Sequence, residues 1–200
     1  AISATENLEF STYWGSNEKD VFNDIKSDVN GNMYIAGYTY SPNFPATTAL
    51  YIDSTNSLGD PDALIIKMNN LCEPQWVIVY GGDTNSIGQG GYGFDLATGI
   101  AINNSGQVYV TGYTSSRDFP LFAGNNLFFD TKNGCTIPTC WDVFILKLNN
   151  SGIPLWASFY GADNVDETAS DIDIDNNQNV YIVGHGTKFS TLQNQTGASN

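Results

Sequence analysis

An internal repeat constrains this chain more than anything else in it. Residues 24–38, 99–113 and 171–185 align without a gap, so that Tyr34, Tyr109 and Tyr181 recur at intervals of about 75 residues. A second block follows each of the first two: residues 62–70 match residues 142–150. A turn with Pro74 or Pro154 comes next, then Trp76-Val-Ile-Val-Tyr-Gly81 or Trp156-Ala-Ser-Phe-Tyr-Gly161. Residues 10–15 repeat that last block, with Phe10 in the Trp place and Trp14 in the Tyr place. A repeat of this size cannot hide its apolar faces alone, so neighbouring copies must stack.

Every block reads as a strand. The blocks are short, rich in β-branched and aromatic residues, and separated by Gly, Asn, Asp or Pro. No segment sustains a helical period. Asn30-Gly31 and Ser105-Gly106 suit hairpin turns that need a positive φ. In the third copy, which reads Asn177-Gln178, Asn177 is expected to take the left-handed conformation. Four strands per unit, a to d, with short a–b and c–d links, predict an antiparallel meander. Such units side by side predict an all-β chain, a β-propeller of four-stranded antiparallel blades.

About two and a half to three blades fall within the 200 residues. Residues 1–15 are the outer strand of a preceding blade, 16–82 and 83–162 are whole repeats, and 163–200 are part of a third. A closed ring needs roughly four to eight blades. The expectation is therefore that the polypeptide continues, with self-association of copies as the alternative.

The residues that recur in order resemble the seven-bladed β-propeller (SBBP) repeats of exported bacterial and archaeal proteins. The resemblance is carried by Asn-Gly-Asn-Met-Tyr-Ile-Ala-Gly-Tyr-Thr (residues 30–39), by Asn43-Phe44-Pro45, and by Asp62-Ala63. In the second copy it is carried by residues 106–115, Asp118-Phe119-Pro120 and Asp142-Val143. The third copy departs from it, with Gly184-His185-Gly186 and no Phe-Pro. The resemblance implies a propeller in an exported, often cell-surface setting, and transfers no catalytic residue.

Charge narrows the partners. A formal net charge of −14 repels phosphate backbones and anionic lipid, so neither nucleic acid nor membrane insertion is expected. No apolar run reaches the roughly 18 residues that span a bilayer. An acidic surface does attract divalent cations, and calcium is the one cofactor considered. Its candidate ligands are Asp171, Asp173 and Asp175, placed by alternation on one face of an innermost strand. The reading set beside this is solvated carboxylates, because the calcium loop's glycine and glutamate positions hold Asn176 and Ile182.

Asp20, Asp95 and Glu167 recur ahead of strand a and are expected to fix loops by accepting N–H bonds, with a cation or glycan ligand as the alternative. His185, the only histidine, stands where the other copies have Tyr38 and Tyr113, so it reads as a structural substitute. The in-register aromatics Trp76, Trp156, Phe10, Tyr80 and Tyr160 read as packing between blades. The long b–c links carry aromatics that are either candidate ligand contacts or rings that fold the link down against its blade: Tyr40, Phe44, Tyr51, Phe122, Phe128 and Trp141. Cys135 and Cys140 are spaced to staple the second link, contributing about 2 kcal/mol. Cys72 is left without a partner. Asn103, Asn149 and Asn194 begin glycosylation sequons.

Three functions compete. The first is a non-enzymatic extracellular or cell-surface module for adhesion, surface assembly or scaffolding. The second is a carbohydrate-binding propeller, calcium-dependent or not. The third is a glycoside hydrolase or lyase, for which Asp171 and Asp173 are the only crowded acids. No catalytic constellation singles out the third.

Overall fold

The computed structural model describes residues 11–45, 49–51, 60–82, 93–116, 118–121, 141–161 and 165–187. Among these there is no helix. They form eleven strands: β1 (Asp20–Ser27), β2 (Met33–Thr39), β3 (Ala49–Tyr51), β4 (Asp62–Met68), β5 (Pro74–Tyr80), β6 (Asp95–Ile102), β7 (Val108–Thr114), β8 (Asp142–Leu148), β9 (Pro154–Tyr160), β10 (Glu167–Ile174) and β11 (Val180–Gly186). The second repeat is the expected four-stranded antiparallel sheet, in the order β6-β7-β8-β9. The third contributes the pair β10-β11. The first repeat departs from expectation. Its sheet has five strands, β1-β2-β4-β5-β3, because the long link returns and pairs β3 parallel to β5. An outer strand exposes a row of backbone donors and acceptors, and β3 satisfies those of β5.

All five hairpins inside the sheets use one turn. Asp28, Asn69, Asn103, Asn149 and Asp175 each open a turn in which the residue's own N–H and C=O bond residues four and three positions on. The Oδ1 atom of each accepts two further backbone N–H groups, two and four residues on, at 2.8–3.0 Å. The geometry is a tight turn followed by one residue in the left-handed region, which leads the chain back into register. That residue is Gly31, Cys72, Gly106, Gly152 or Gln178, with φ between 63° and 81°. The expectation for Asn177 was therefore one residue off. The turn counts from Asp175, and its left-handed position falls on Gln178. A side chain there is strained by roughly 1 kcal/mol. Gln178→Gly is accordingly expected to stabilise the protein by several tenths to about 1 kcal/mol, read as a higher urea midpoint. An unchanged or lower midpoint contradicts it.

Strand a of each repeat carries a bulge, at the register shifts Phe22/Asp24, Ala97/Gly99 and Ala169/Asp171. Opposite each bulge stands a glycine of strand b. A Cβ on Gly37, Gly112 or Gly184 would lie 1.9–2.1 Å from the bulged strand's carbonyl oxygen. The bulge residue then stitches one sheet to the next: Asn23 Nδ2 donates to Ala97 O at 2.7 Å, and Thr98 Oγ1 to Ala169 O at 2.9 Å.

The sheets stack face to face. The main core lies between the first and second, where Tyr34, Ile65, Trp76, Ile78 and Tyr80 meet Ile100, Val110, Phe144, Leu146 and Phe159. A smaller core joins Ala101 and Tyr109 of the second sheet to Ile172 of the third. Trp76 and Tyr80 thus pack between repeats as expected, whereas Tyr160 at the equivalent of Tyr80 is 39% exposed. Tyr34 and Tyr109 are wholly buried, while Tyr181, on the far face of β11, is 56% exposed.

Candidate functional site

Strands a and c begin, and strands b and d end, at the same end of every sheet, so chemistry at those positions is gathered there. Two groups result.

The first is a row of carboxylates, buried at the junctions between repeats and half-buried at Asp20. Asp95 is wholly buried at the start of β6. Its Oδ2 accepts from Gly82 N at 2.8 Å and from Ser116 Oγ at 2.7 Å. Asp20 accepts from Ser16 N at 2.7 Å through Oδ2 and from Thr39 Oγ1 at 2.5 Å through Oδ1. The recurrent acid is thus a loop-fixing carboxylate in both repeats. The sequence reading missed its companion, the acid that opens strand c. A Cβ on Gly81 would sit 2.3 Å from Asp62 Oδ1 and 2.7 Å from Asp95 Oδ2. One on Gly161 would sit 2.8 Å from Asp142 Oδ1 and 3.1 Å from Glu167 Oε2. Each junction between repeats therefore holds two buried carboxylates around the glycine that ends strand d. The recurring Tyr-Gly and the recurring Asp at residues 62 and 142 were the available signal. Burial raises the Asp95 carboxyl to about 7, outweighing the lowering by Thr114, Gly82 and Ser116. Asp60, which accepts from Gly93 N at 3.2 Å, is also raised by burial.

The second group is aromatic. Tyr38 and Tyr40 meet edge to face at 6.1 Å, with the Lys19 ammonium 5.6 and 5.8 Å from the two rings. Trp141 packs on Tyr113 at 5.1 Å and on Phe94 at 5.6 Å. Burial, with Tyr38 and Tyr40 close by, raises the Tyr113 phenol. All five rings are partly exposed. The pairings Val21–Tyr38, Leu96–Tyr113 and Thr168–His185 place the histidine at the same position of the third repeat, where it contacts Thr168 Oγ1 at 3.1 Å.

Of the candidate ligand aromatics, the structure gathers Tyr40 and Trp141 into this rim and removes Phe44. Phe44 is 2% exposed and packs with Leu64, Val79 and Trp14. Its counterpart Phe119 is wedged among Tyr80, Phe144 and Phe159 at 4.8–5.8 Å. The Phe-Pro of each long link is thus a core plug rather than a ligand contact, because an apolar ring beside a sheet gains more from burial than from exposure. Tyr51 lies in β3, whose side chains are outside the described set. Phe10, Phe122, Phe128, Cys135, Cys140 and Asn194 also lie outside the described residues. Cys72 is a free, half-buried thiol.

Of the three acids considered for calcium, Asp171 and Asp173 alternate on one face of β10, while Asp175 falls outside the strand. Asp171 and Asp173 are exposed on β10, where each caps the following backbone N–H at 2.8 Å. Asp175 lies beyond the strand and organises the turn, accepting from Asn177 N, Asn179 N, Asn179 Nδ2 and Tyr181 Oη at 2.8–3.1 Å. The Asn179 side chain leads the bonds that hold its carboxyl below the usual range. Among the described residues no group of three His, Cys, Asp or Glu side chains is arranged to hold a metal. Asn103 and Asn149 are turn organisers too, and Asn103 Nδ2 donates to Gln107 Oε1 at 2.8 Å.

A scan against protein-family models and a search of curated proteins both return no match.

Proposed function

We propose that this chain is a non-enzymatic, exported β-propeller module that serves adhesion, surface assembly or scaffolding. The observation that carries this reading is where the recurring polar groups are used. Asn23 and Thr98 each reach the next sheet's backbone. Asp24 Oδ2 accepts Ile100 N across the same junction at 3.1 Å. Asp20 and Asp95 tie loops, and the Asx residues tie hairpins. Each repeat spends its polar side chains on joining the next one, which is how a solenoid or ring extends. Acidity and low lysine content suit the exported setting, and the resemblance to seven-bladed β-propeller repeats points the same way. Crosslinking of the intact native polypeptide, read by mass spectrometry, is expected to recover links between repeats and to a partner surface or a further copy. Recovery of a lone monomer with no partner surface contradicts the reading.

A second reading, carbohydrate binding, is favoured by one observation: the partly exposed rings of Tyr38, Tyr40, Tyr113 and Trp141 converge at one end, with Lys19 beside them. Aromatic faces with hydroxyls at their rims suit sugar rings. A glycan array run with and without chelator is expected to show binding that Trp141→Ala weakens at least about tenfold, a loss of roughly 1.4 kcal/mol. Silence in both conditions ends this reading.

A further inference from the structure

The turn between β8 and β9 plugs into the face of the first sheet. Lys67 Nζ donates to Asn150 Oδ1 at 2.5 Å and to Asn150 O at 3.3 Å, and Trp76 Nε1 donates to Asn150 O at 3.1 Å. Tyr34 Oη lies 3.2 Å from Asn150 Oδ1. Gly152 of the same turn lies flat on Trp76, where even a Cβ would come within 3.1 Å. The three socket residues are direct cross-strand partners, Tyr34 to Lys67 to Trp76, so they share one face. The plug leaves Lys67 only 9% and Trp76 only 6% exposed.

The second sheet repeats the socket in register. Tyr109 pairs with Lys147 and Lys147 with Trp156. The Lys147 ammonium stands 4.8 Å over the Tyr109 ring, as Lys67 stands 5.2 Å over Tyr34. Tyr109 is covered by the third repeat, but Lys147 and Trp156 stay half-buried. Beside this socket, among the described residues, β11 pairs with β10 alone. In the second repeat the β8–β9 hairpin pairs with the outer edge of β7, and that pairing carries Asn150 to its socket. A hairpin added to the outer edge of β11 would carry its turn to Tyr109, Lys147 and Trp156 in the same way.

We propose that the outer edge of β11 and the Tyr109–Lys147–Trp156 socket together form a docking site for a β-hairpin whose turn reads Asn-Asn-x-Gly, supplied by a further repeat of this type. The inference rests on the repeat-module reading and adds to it the residues and the chemistry of recognition. A second copy of this chain does not fit the site as it stands, since the edges its β4–β5 and β8–β9 hairpins would offer are already paired, β4 with β2 and β8 with β7.

The test uses the whole chain and a synthetic hairpin with this protein's own residues 142–161. Saturable binding is expected, with slowed amide exchange over Val180–Gly186. Asn150→Ala in the peptide and Lys147→Met in the protein are each expected to weaken binding at least about tenfold. Lys147→Met keeps the apolar stem, and an unaltered urea midpoint shows that it folds. Absence of binding overturns the proposal, as does binding indifferent to both substitutions. Concentration-dependent self-association that protects β11 without peptide also overturns it, in favour of a second copy. A negative peptide result leaves the crosslinking outcome intact, so the site and the module reading fail separately.

Discussion

Gly112→Ala is expected to cost at least about 4 kcal/mol, which places it among the most damaging single changes this protein can suffer. The added Cβ would stand 1.9 Å from Leu96 O and 2.8 Å from both Leu96 C and Phe144 Cε1. Leu96 is backbone in a bulged strand and Phe144 is wholly buried, so neither can yield cheaply. Relief requires β6 to lose its bulge, which moves every later residue of that strand to the opposite face. Ile100 would leave the core it shares with Phe144 and Leu146, and Thr98 would lose Ala169 O. The measurement is urea unfolding of the variant beside Gln178→Gly, whose effect has the opposite sign. A loss below about 1 kcal/mol would mean that β6 is not bulged opposite Gly112.

Stability is expected to fall as pH rises from mildly acidic to mildly alkaline, and Asp95→Asn to abolish most of that fall. The Asp95 carboxyl sits at about 7 in the folded protein against 3.8 when unfolded. A carboxyl raised by folding is more favourably folded when protonated. Its contribution is fully present below 3.8 and is lost as pH climbs through about 7. The full span is about 4 kcal/mol, of which roughly 2–3 kcal/mol falls between pH 5 and pH 8. Asp60, raised by burial, acts in the same direction. Asparagine at residue 95 keeps an acceptor for Gly82 N and Ser116 Oγ and carries no charge to bury. The variant should therefore be less pH-dependent across this window, with a midpoint at pH 8 no lower than the wild type. A wild-type midpoint that is flat or rises from pH 5 to pH 8 contradicts the buried-acid account.

The repeat made the strands legible. Period-two patterns around Tyr34 and Tyr109, bounded by Asx and Gly, located β1, β2, β6 and β7, and Asp62 and Asp142 marked where strand c starts. Local chemistry decides these features, since alternation and turn residues act over a few positions. The same local rule erred by one residue at Gln178, because a left-handed position is defined by its distance from the Asx that opens the turn. It also gave no warning of β3, which exists only because β5 presents an unpaired edge at the end of a folded sheet.

The site was less legible. Asp95 announced itself by recurring, but its partner Asp62 lies 33 positions earlier and the two meet only when one sheet stacks on the next. Phe44 stood among the candidate ligand aromatics because sequence alone does not decide whether a loop aromatic faces solvent or folds back over a core. Asn150 looked like any turn residue until stacking set it against Lys67 and Trp76. Sequence by itself determined strand, turn and repeat, all properties of short segments. Tertiary structure alone decided which carboxylates crowd, which rings are buried and which turn fills which socket. Those depend on contacts between repeats, which pairwise spacing along the chain does not encode.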